Sequence, residues 1–283
     1  MLATAILSAS LVFSQADAKL AYETARGLVE NCTPRDAGTI RGQIAANHIL
    51  DAASAAGANV RRDPFTAATP AGSRKFVNLY AEFPSGGDDA KWVVLVSHYD
   101  TKPGVGCPGA NDGASTSGLL VGMANAVSSW ADRKGNLLLV WTDGEECISS
   151  YSANDGLWGA RRAVEYLKAG SRHVQAVVCL DMLGDKDLDI TVPKNCTPAL
   201  AQIAVHAARR AGYPGKVRLV PEVVTDDHVP FLDGGYKAID LIDFSYGPDN
   251  SFWHTELDTL ENISEESLLV SGRIVAEMLN ILL

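Results

Sequence analysis

The 283-residue chain predicts an α/β protein, a three-layer sandwich around a mixed, mostly parallel sheet. Three observations lead there. Short apolar runs alternate with helix-like segments through most of the chain, the pattern of βαβ units. Several runs are continuous rather than alternating, as in strands covered on both faces. Hydrophobic residues make up 47% and charged residues 20%, which allows a large core and argues against disorder.

The elements follow in order. Residues 19–30 and 42–56 read as helices. Residues 59–65 and 75–83 read as strands, with Pro70-Ala71-Gly72 turning between them and Pro84-Ser85-Gly86-Gly87 turning after them. Residues 92–97 form a continuous apolar strand. Residues 113–128 form a helix rich in small residues, with Asp112 placed to cap its start. A strand over 136–141, a helix over 159–168, a strand over 174–180 and a helix over 199–211 come next. A strand over 237–242 and an amphipathic helix over 265–282 close the chain. The N-terminal strands fit antiparallel edge positions. No repeat, low-complexity segment or linker interrupts the pattern, so one domain is expected.

Residues 1–13 are apolar, and Ala16-Asp17-Ala18 has the small-x-small form of a signal-peptidase site. No Lys or Arg precedes the apolar stretch. The expectation is a signal peptide over 1–18, export of the protein, and a single domain over 19–283. The alternative is an N-terminal helix packed on that domain. No later stretch is apolar enough to span a bilayer.

The net charge is −10. Nucleic acid is therefore excluded as a partner, because phosphate binding needs a basic face. An acidic site would attract a metal ion or the free amine of a peptide. None of the five cysteines forms a close pair of the zinc-ribbon kind. Cys147 and Cys179 read as small buried packing groups.

Asp143-Gly144-Glu145-Glu146 lies just past the apolar run Leu137-Leu138-Leu139-Val140-Trp141. Adjacent carboxylates beside a buried strand are costly without a use. One can bind a metal while its neighbour moves protons. His98, Glu145, Glu146 and Asp181 all fall just past strand ends, where open sheets bind ligands. Asp112 and His254 lie in following loops. Asp112, Glu146 and His254 make one complete set of catalytic-zinc ligands. His98 and Asp181 complete a second set if Asp112 bridges; otherwise His98 shapes the site by hydrogen bonding. Glu145 is then left as general base and acid. A lone Asp-Gly-Glu-Glu is more often a surface loop, and it is the combination that carries the reading.

The set His98-Tyr99-Asp100, Gly109-Ala110-Asn111-Asp112-Gly113-Ala114, Asp143-Gly144-Glu145-Glu146, Leu180-Asp181-Met182-Leu183-Gly184 and His254-Thr255 resembles the zinc aminopeptidase superfamily, which also contains the glutaminyl cyclases. The match runs in order from about residue 21 to the C-terminus. Thr225-Asp226-Asp227-His228-Val229-Pro230-Phe231, Trp253 before His254, and the Asp181 to Asp187 segment look more like a bacterial glutaminyl cyclase of the animal type. The resemblance implies a zinc-exopeptidase-like fold and one zinc on Asp112, Glu146 and His254. It implies Glu145 as proton shuttle and Asp181 and Asp226 as its acidic partners. Trp253, Tyr151 and His228 would contact the substrate. Two departures stand out. Tyr151 falls where animal cyclases have tryptophan, and Ser97 replaces the cysteine of that family's disulfide.

The implied activity converts an N-terminal glutamine of a peptide or protein to pyroglutamate and releases ammonia. The competing reading is a two-zinc aminopeptidase with His98 and Asp181 on the second ion. A binding protein that had lost catalysis would have lost ligands or the base, and this chain keeps Asp112, Glu145, Glu146 and His254. A monomer without a membrane span is expected.

Overall fold

Apolar runs at residues 92–97, 136–141 and 174–180 have nowhere to go but inside, and they form the centre of the sheet. The computed structural model describes residues 10–85, 87 and 90–283. Residues 1–9 of the expected signal peptide and Gly86 of the expected turn lie outside the described residues. Among the described residues there are seven α-helices and eight strands, all eight in one sheet.

The strands are β1 (Val60–Thr69), β2 (Gly72–Phe83), β3 (Trp92–His98), β4 (Asn136–Thr142), β5 (Val174–Asp181), β6 (Ile190–Val192), β7 (Val217–Leu219) and β8 (Ala238–Ile242). Their spatial order is β1-β2-β4-β3-β5-β8-β6-β7. The run β4-β3-β5-β8 is parallel throughout, while β1 and β2 form an antiparallel hairpin on one edge. The sequence predicts that edge. It does not predict β6 and β7, which extend the other edge through a single antiparallel bridge to β8. Strands of three residues carry too few side chains to show a period.

The helices are α1 (Gln15–Cys32), α2 (Ile40–Ala55), α3 (Thr116–Ser128), α4 (Trp158–Ala169), α5 (Pro198–Arg210), α6 (His228–Asp233) and α7 (Glu265–Leu282). Residues from α1, α2, α3, α5 and α7 share one core with alternate strand residues such as Val93, Leu139, Val178 and Ile239. Residues from α4 and α6 share a second core with the opposite set, including Val94, Leu138, Val177 and Ala238. The period-2 alternation of strand side chains thus divides the protein into helix, sheet and helix layers.

Two helix starts differ from the sequence reading. First, α1 begins at Gln15 because Ser14 and Asp17 form a capping box. Upstream of it, Phe13 is 1% exposed and fills a notch that glycine leaves on α7. A Cβ on Gly272 would lie 2.2 Å from the Phe13 ring. Leu11 is clamped by Asn280, which accepts its N–H at 2.7 Å and donates to its carbonyl at 3.0 Å. The packed domain therefore begins at least as early as Leu11, and Ala18 is buried within it. Second, Asp112 caps no helix. Residues Ala110–Ser115 form a π-type turn in which Asp112 (ψ 100°) and Gly113 (φ 88°) break the helical path. That break turns Asp112 toward the site, and α3 starts only at Thr116.

All five cysteines are free and buried, consistent with packing roles for Cys147 and Cys179. Among the described residues, no helix is long and apolar enough to cross a membrane.

Candidate metal centre and active site

The carboxyl ends of β3, β4 and β5 deliver His98, the Asp143–Glu146 loop and Asp181 to one place. The turn before α3 adds Asp112, and the long loop after β8 adds Trp253 and His254. His254 sits at φ 56°, a left-handed conformation that costs a non-glycine residue energy and often marks a functional position. His254 Nε2 lies 2.8 Å from Glu146 Oε1 and 3.3 Å from Asp112 Oδ2. His98 Nε2 lies 3.1 Å from both Asp112 Oδ1 and Asp181 Oδ1. The two carboxylate oxygens of Asp112 thus face two different groups. Asp112, Glu146 and His254 converge as one metal-ligating set, and His98, Asp112 and Asp181 as another.

Neighbours that sequence reasoning left without a role hold these side chains. Asp100 accepts the backbone N–H groups of Gly144, Glu145 and Glu146 at 3.0, 3.1 and 3.2 Å. Its Oδ1 also stands 3.5 Å from His98 Nδ1. One buried carboxylate therefore fixes the loop that bears Glu145 and Glu146 and orients His98 as well. Asp258 accepts the N–H groups of Asn111 and Asp112 at 2.7 and 3.2 Å. Arg35, fully buried, donates to the carbonyls of Tyr99, Pro108, Gly109 and Asp112. The turn packs so closely that a Cβ on Gly113 would meet the Asp100 carbonyl oxygen at 2.8 Å. Asp100 stands within a quoted motif. Nothing local signals that Arg35 and Asp258 anchor this turn, because the backbone groups they hold there are 64 to 147 residues away in sequence.

Burial opposes charge on His98, but Asp100, Asp112 and Asp181 outweigh it and hold its pKa well above the ordinary value. Burial likewise opposes charge on His254, where Asp112 and Glu146 raise the pKa to about 9. Carboxylates that hold a proton this firmly on an imidazole can hold a divalent cation in its place. Glu146 Oε2 is buried without a hydrogen-bond donor, with Lys102 Nζ 3.4 Å away as an ion-pair partner. Two carboxylates and an imidazole match the donor set of a catalytic zinc site with an open position. The residues present fit a metal.

A cavity of about 220 Å³ opens over this set. Five carboxylates line its floor: Asp112, Glu145, Glu146, Asp181 and Asp226. Tyr151, Trp253, Phe244, Val223, Val224 and Ile242 contribute its less polar wall. Burial, followed by the charges of Glu146 and Asp226, raises the Glu145 pKa well above the ordinary carboxyl value. The Tyr151 hydroxyl reaches Glu145 at 2.9 Å. Trp253 stacks on the His254 ring, with centroids 3.9 Å apart, and Phe244 meets Trp253 edge-on at 4.9 Å.

Nine of the ten predicted site residues are therefore placed in or against this cavity; the exception is His228. His228 is 0% exposed and does not line the cavity. As the first residue of α6, it turns inward behind Asp226. The sequence did not single out Phe244 or Val223 and Val224 of the wall. Each is an ordinary apolar residue in a loop, and only the fold brings it to the rim.

The sheet order and paired metal-ligating sets define a zinc-exopeptidase-like protein. The Peptidase family M28 model matches residues 78–279, and the chain belongs to that family. Its relatives narrow the likeness. Glutaminyl-peptide cyclotransferase-like proteins of Mus musculus and Bos taurus are each 30% identical over 254 residues, covering 79% of this chain and 65% of theirs. The chain therefore spans about 65% of the length of these relatives. The crystal structure of Acidobacteriales bacterium glutaminyl cyclase superposes with a TM-score of 0.89 and 32% identity, covering 99% of this chain and 98% of that one. A leucine aminopeptidase precursor from Bacteroides thetaiotaomicron shares the fold at a TM-score of 0.84 and 22% identity, covering 97% and 99%.

Proposed function

We propose that this protein is a zinc-dependent glutaminyl-peptide cyclotransferase acting on peptide or protein N-termini as a monomer. The observation that carries the reading is Glu145. It is a buried carboxyl with a raised pKa, held by Tyr151, beside a complete metal-ligating set in a cavity of about 220 Å³. The relatives that share both sequence and fold bear glutaminyl cyclase names.

Asp112, Glu146 and His254 would hold the zinc. When bound, zinc supplies Lewis-acid polarisation of the substrate's γ-carbonyl. Glu145 takes a proton from the substrate α-amine as that nitrogen bonds to the carbonyl carbon of the γ-amide. It returns the proton to the nitrogen leaving that carbon, so ammonia departs and the lactam remains. The attacking amine is tethered to its target, so the enzyme mainly has to hold a reactive conformer. Trp253, Tyr151 and Phe244 close the cavity around that conformer and limit water. Asp181 and Asp226 keep the surroundings of Glu145 acidic, so that it retains a proton long enough to pass it on.

The His98–Asp112–Asp181 set supports a second reading, a two-zinc aminopeptidase. Ammonia release from a glutaminyl peptide, measured beside amino-acid release from ordinary peptides and repeated with chelator, separates the two. Chelator-sensitive ammonia with pyroglutamyl product is expected. Free amino acids without ammonia would make the chain an aminopeptidase. Under either reading we propose that export processing, where it occurs, cuts upstream of Leu11 rather than at the buried Ala18. Intact-mass measurement of the secreted protein tests this; an N-terminus at Lys19 would overturn it.

A further inference from the structure

A second cavity, of about 290 Å³, lies outside the acidic site. Its walls are residues 65–68 of β1, Ala153 and Asn154 of the loop after β4, and the first turns of α4. Strand register puts it at the same end of the sheet as Glu145 and Glu146. Pairing of β2 with β4 stops at Leu79 and Trp141, whereas β1 and β2 stay paired as far as Thr69 and Gly72. Residues 65–68 therefore stand beyond the carboxyl end of β4.

One loop divides the two cavities. Tyr151 lines the acidic one, and Ala153 and Asn154 line the other. Three residues of chain span at most roughly 11 Å, so the partition is thin. It is also fixed in place. Asp155 accepts the N–H groups of Ile148, Ser149 and Ser150 at 2.6, 2.8 and 3.2 Å. Arg161 donates to the carbonyls of Gly156 and Ser152, both at 2.7 Å. Beneath the loop, Phe65, Phe76 and Trp158 stack with centroids 5.3 and 5.2 Å apart. That stack reaches Gly144, where a Cβ would meet the Phe76 ring at 2.8 Å.

The groove has the features of a peptide site. β1 stands first in the strand order, with β2 as its one strand neighbour among the described residues, so its outer edge offers unpaired backbone groups. Alternate strand side chains face opposite sides, so a cavity lined by four consecutive residues follows the edge itself. Among the described residues, Arg161 contacts no carboxylate, whereas Arg162 is paired with Asp63 at 2.8 Å and Glu165 at 3.2 Å. The groove thus keeps a positive charge beside a cavity floored by five carboxylates.

We propose that this groove binds the part of the peptide substrate that follows its N-terminal glutamine. The chain leaves the acidic cavity past Tyr151 and lies extended along the free edge of β1, with an acidic side chain facing Arg161. An extended chain rises about 3.3 Å per residue, so about the fourth residue is the first to reach the groove. This inference rests on the cyclotransferase reading, which sets the glutamine itself over Glu145.

The test measures kcat and KM of the zinc-loaded full chain on three amidated peptides: Gln-Ala, Gln-Ala-Ala-Glu-Ala-Ala and Gln-Ala-Ala-Lys-Ala-Ala. The glutamyl hexapeptide is expected to have a KM roughly 10-fold below that of the dipeptide, as one or two main-chain hydrogen bonds would supply. Its kcat should match, because contacts remote from the reacting bonds add uniform binding. The lysyl hexapeptide should have a KM about 3-fold above the glutamyl one. Ala68→Trp, at an exposed position, fills the groove. It should raise the hexapeptide KM to that of the dipeptide, with dipeptide kinetics and melting temperature as in the natural chain. Ala153→Glu, also exposed, should abolish the preference for the glutamyl over the lysyl peptide. Where Ala68→Trp fails to fold, the natural chain's length dependence and Ala153→Glu decide. Equal KM for dipeptide and glutamyl hexapeptide in the natural chain would overturn the proposal. So would an advantage of the hexapeptide that survives in a folded Ala68→Trp, or a preference for the lysyl peptide. Failure of the cyclotransferase reading shows separately, as absence of pyroglutamyl product from the dipeptide.

Discussion

Two acidic clusters stand side by side in this protein, and they treat positive charge in opposite ways. In the outer one, Asp112, Glu146 and Asp181 surround His98 and His254 at 2.8 to 3.3 Å. The carboxylates overcome burial there and raise both imidazoles above their ordinary pKa. In the inner one, Asp226 and Asp240 flank His228, yet burial wins and lowers its pKa. One His228 nitrogen is taken by Asn195, and the other faces its nearest carboxylate only at 3.7 Å. The residue types are the same. What differs is whether imidazole nitrogens are free to point at the carboxylates. The outer cluster is built to hold a cation, and the inner one to hold protons.

The comparison can be broken most severely at the outer cluster. His254→Ala removes one of three donors, so bound zinc and turnover should both be lost. Metal analysis beside the ammonia assay checks this, and full zinc content in the variant would remove His254 from the ligand set. Glu145→Gln should separate chemistry from metal. Turnover should fall by roughly 10² to 10⁴, while zinc content stays as in the natural chain. Asp100→Asn offers a smaller effect. The amide has one acceptor oxygen for three backbone N–H groups that now share two. A loss of roughly 10- to 100-fold in turnover is expected, with zinc binding weakened in parallel. An unchanged rate would mean that the loop holds its shape without Asp100.

The smallest effect, and the one that sharpens the contrast, is on stability against pH. Burial and the charge of Asp226 raise the Asp227 pKa to about 7. Between its unfolded value of about 4 and 7, the folded state therefore binds a proton that the unfolded chain has released. Stability from this group is present at low pH and is withdrawn as pH rises through 7. Asp227→Asn, which can still accept from Thr142, should gain in melting temperature relative to the natural chain between pH 5 and pH 8. Asp112 has the opposite sign. Burial opposes its charge, but His254 and His98 outweigh it and lower its pKa, so its contribution is lost as pH falls through the acid range. Equal melting differences at pH 5 and pH 8 would show that Asp227 is ionised throughout.

Much of this was legible in the sequence, for a local reason. The strands over 92–97, 136–141 and 174–180 announce themselves because each is a run of neighbours that must all be buried. The outer cluster follows, since His98, Glu145, Glu146 and Asp181 stand directly at the ends of such runs. Asp112 was legible as a site residue but not in its backbone role. A carboxylate before a helix reads as a cap, and nothing local reveals that Gly113 bends the chain away. The signal-like Ala16-Asp17-Ala18 shows the same limit, because its burial depends on α3 and α7, which lie far along the chain.

What the sequence determined by itself is therefore the class of fold, the central strands and the residue types gathered at their ends, because hydrophobic runs and adjacent carboxylates are signals carried by neighbours. What only the tertiary structure decided is the order of the strands, the short pair β6 and β7, the anchoring of the site by Arg35, Asp100 and Asp258, and the inward turn of His228 toward Asp240. Those depend on partners distant in sequence. A buried aspartate in a strand and a histidine beside a motif become neighbours only when folding brings them to 3.7 Å of each other in the interior.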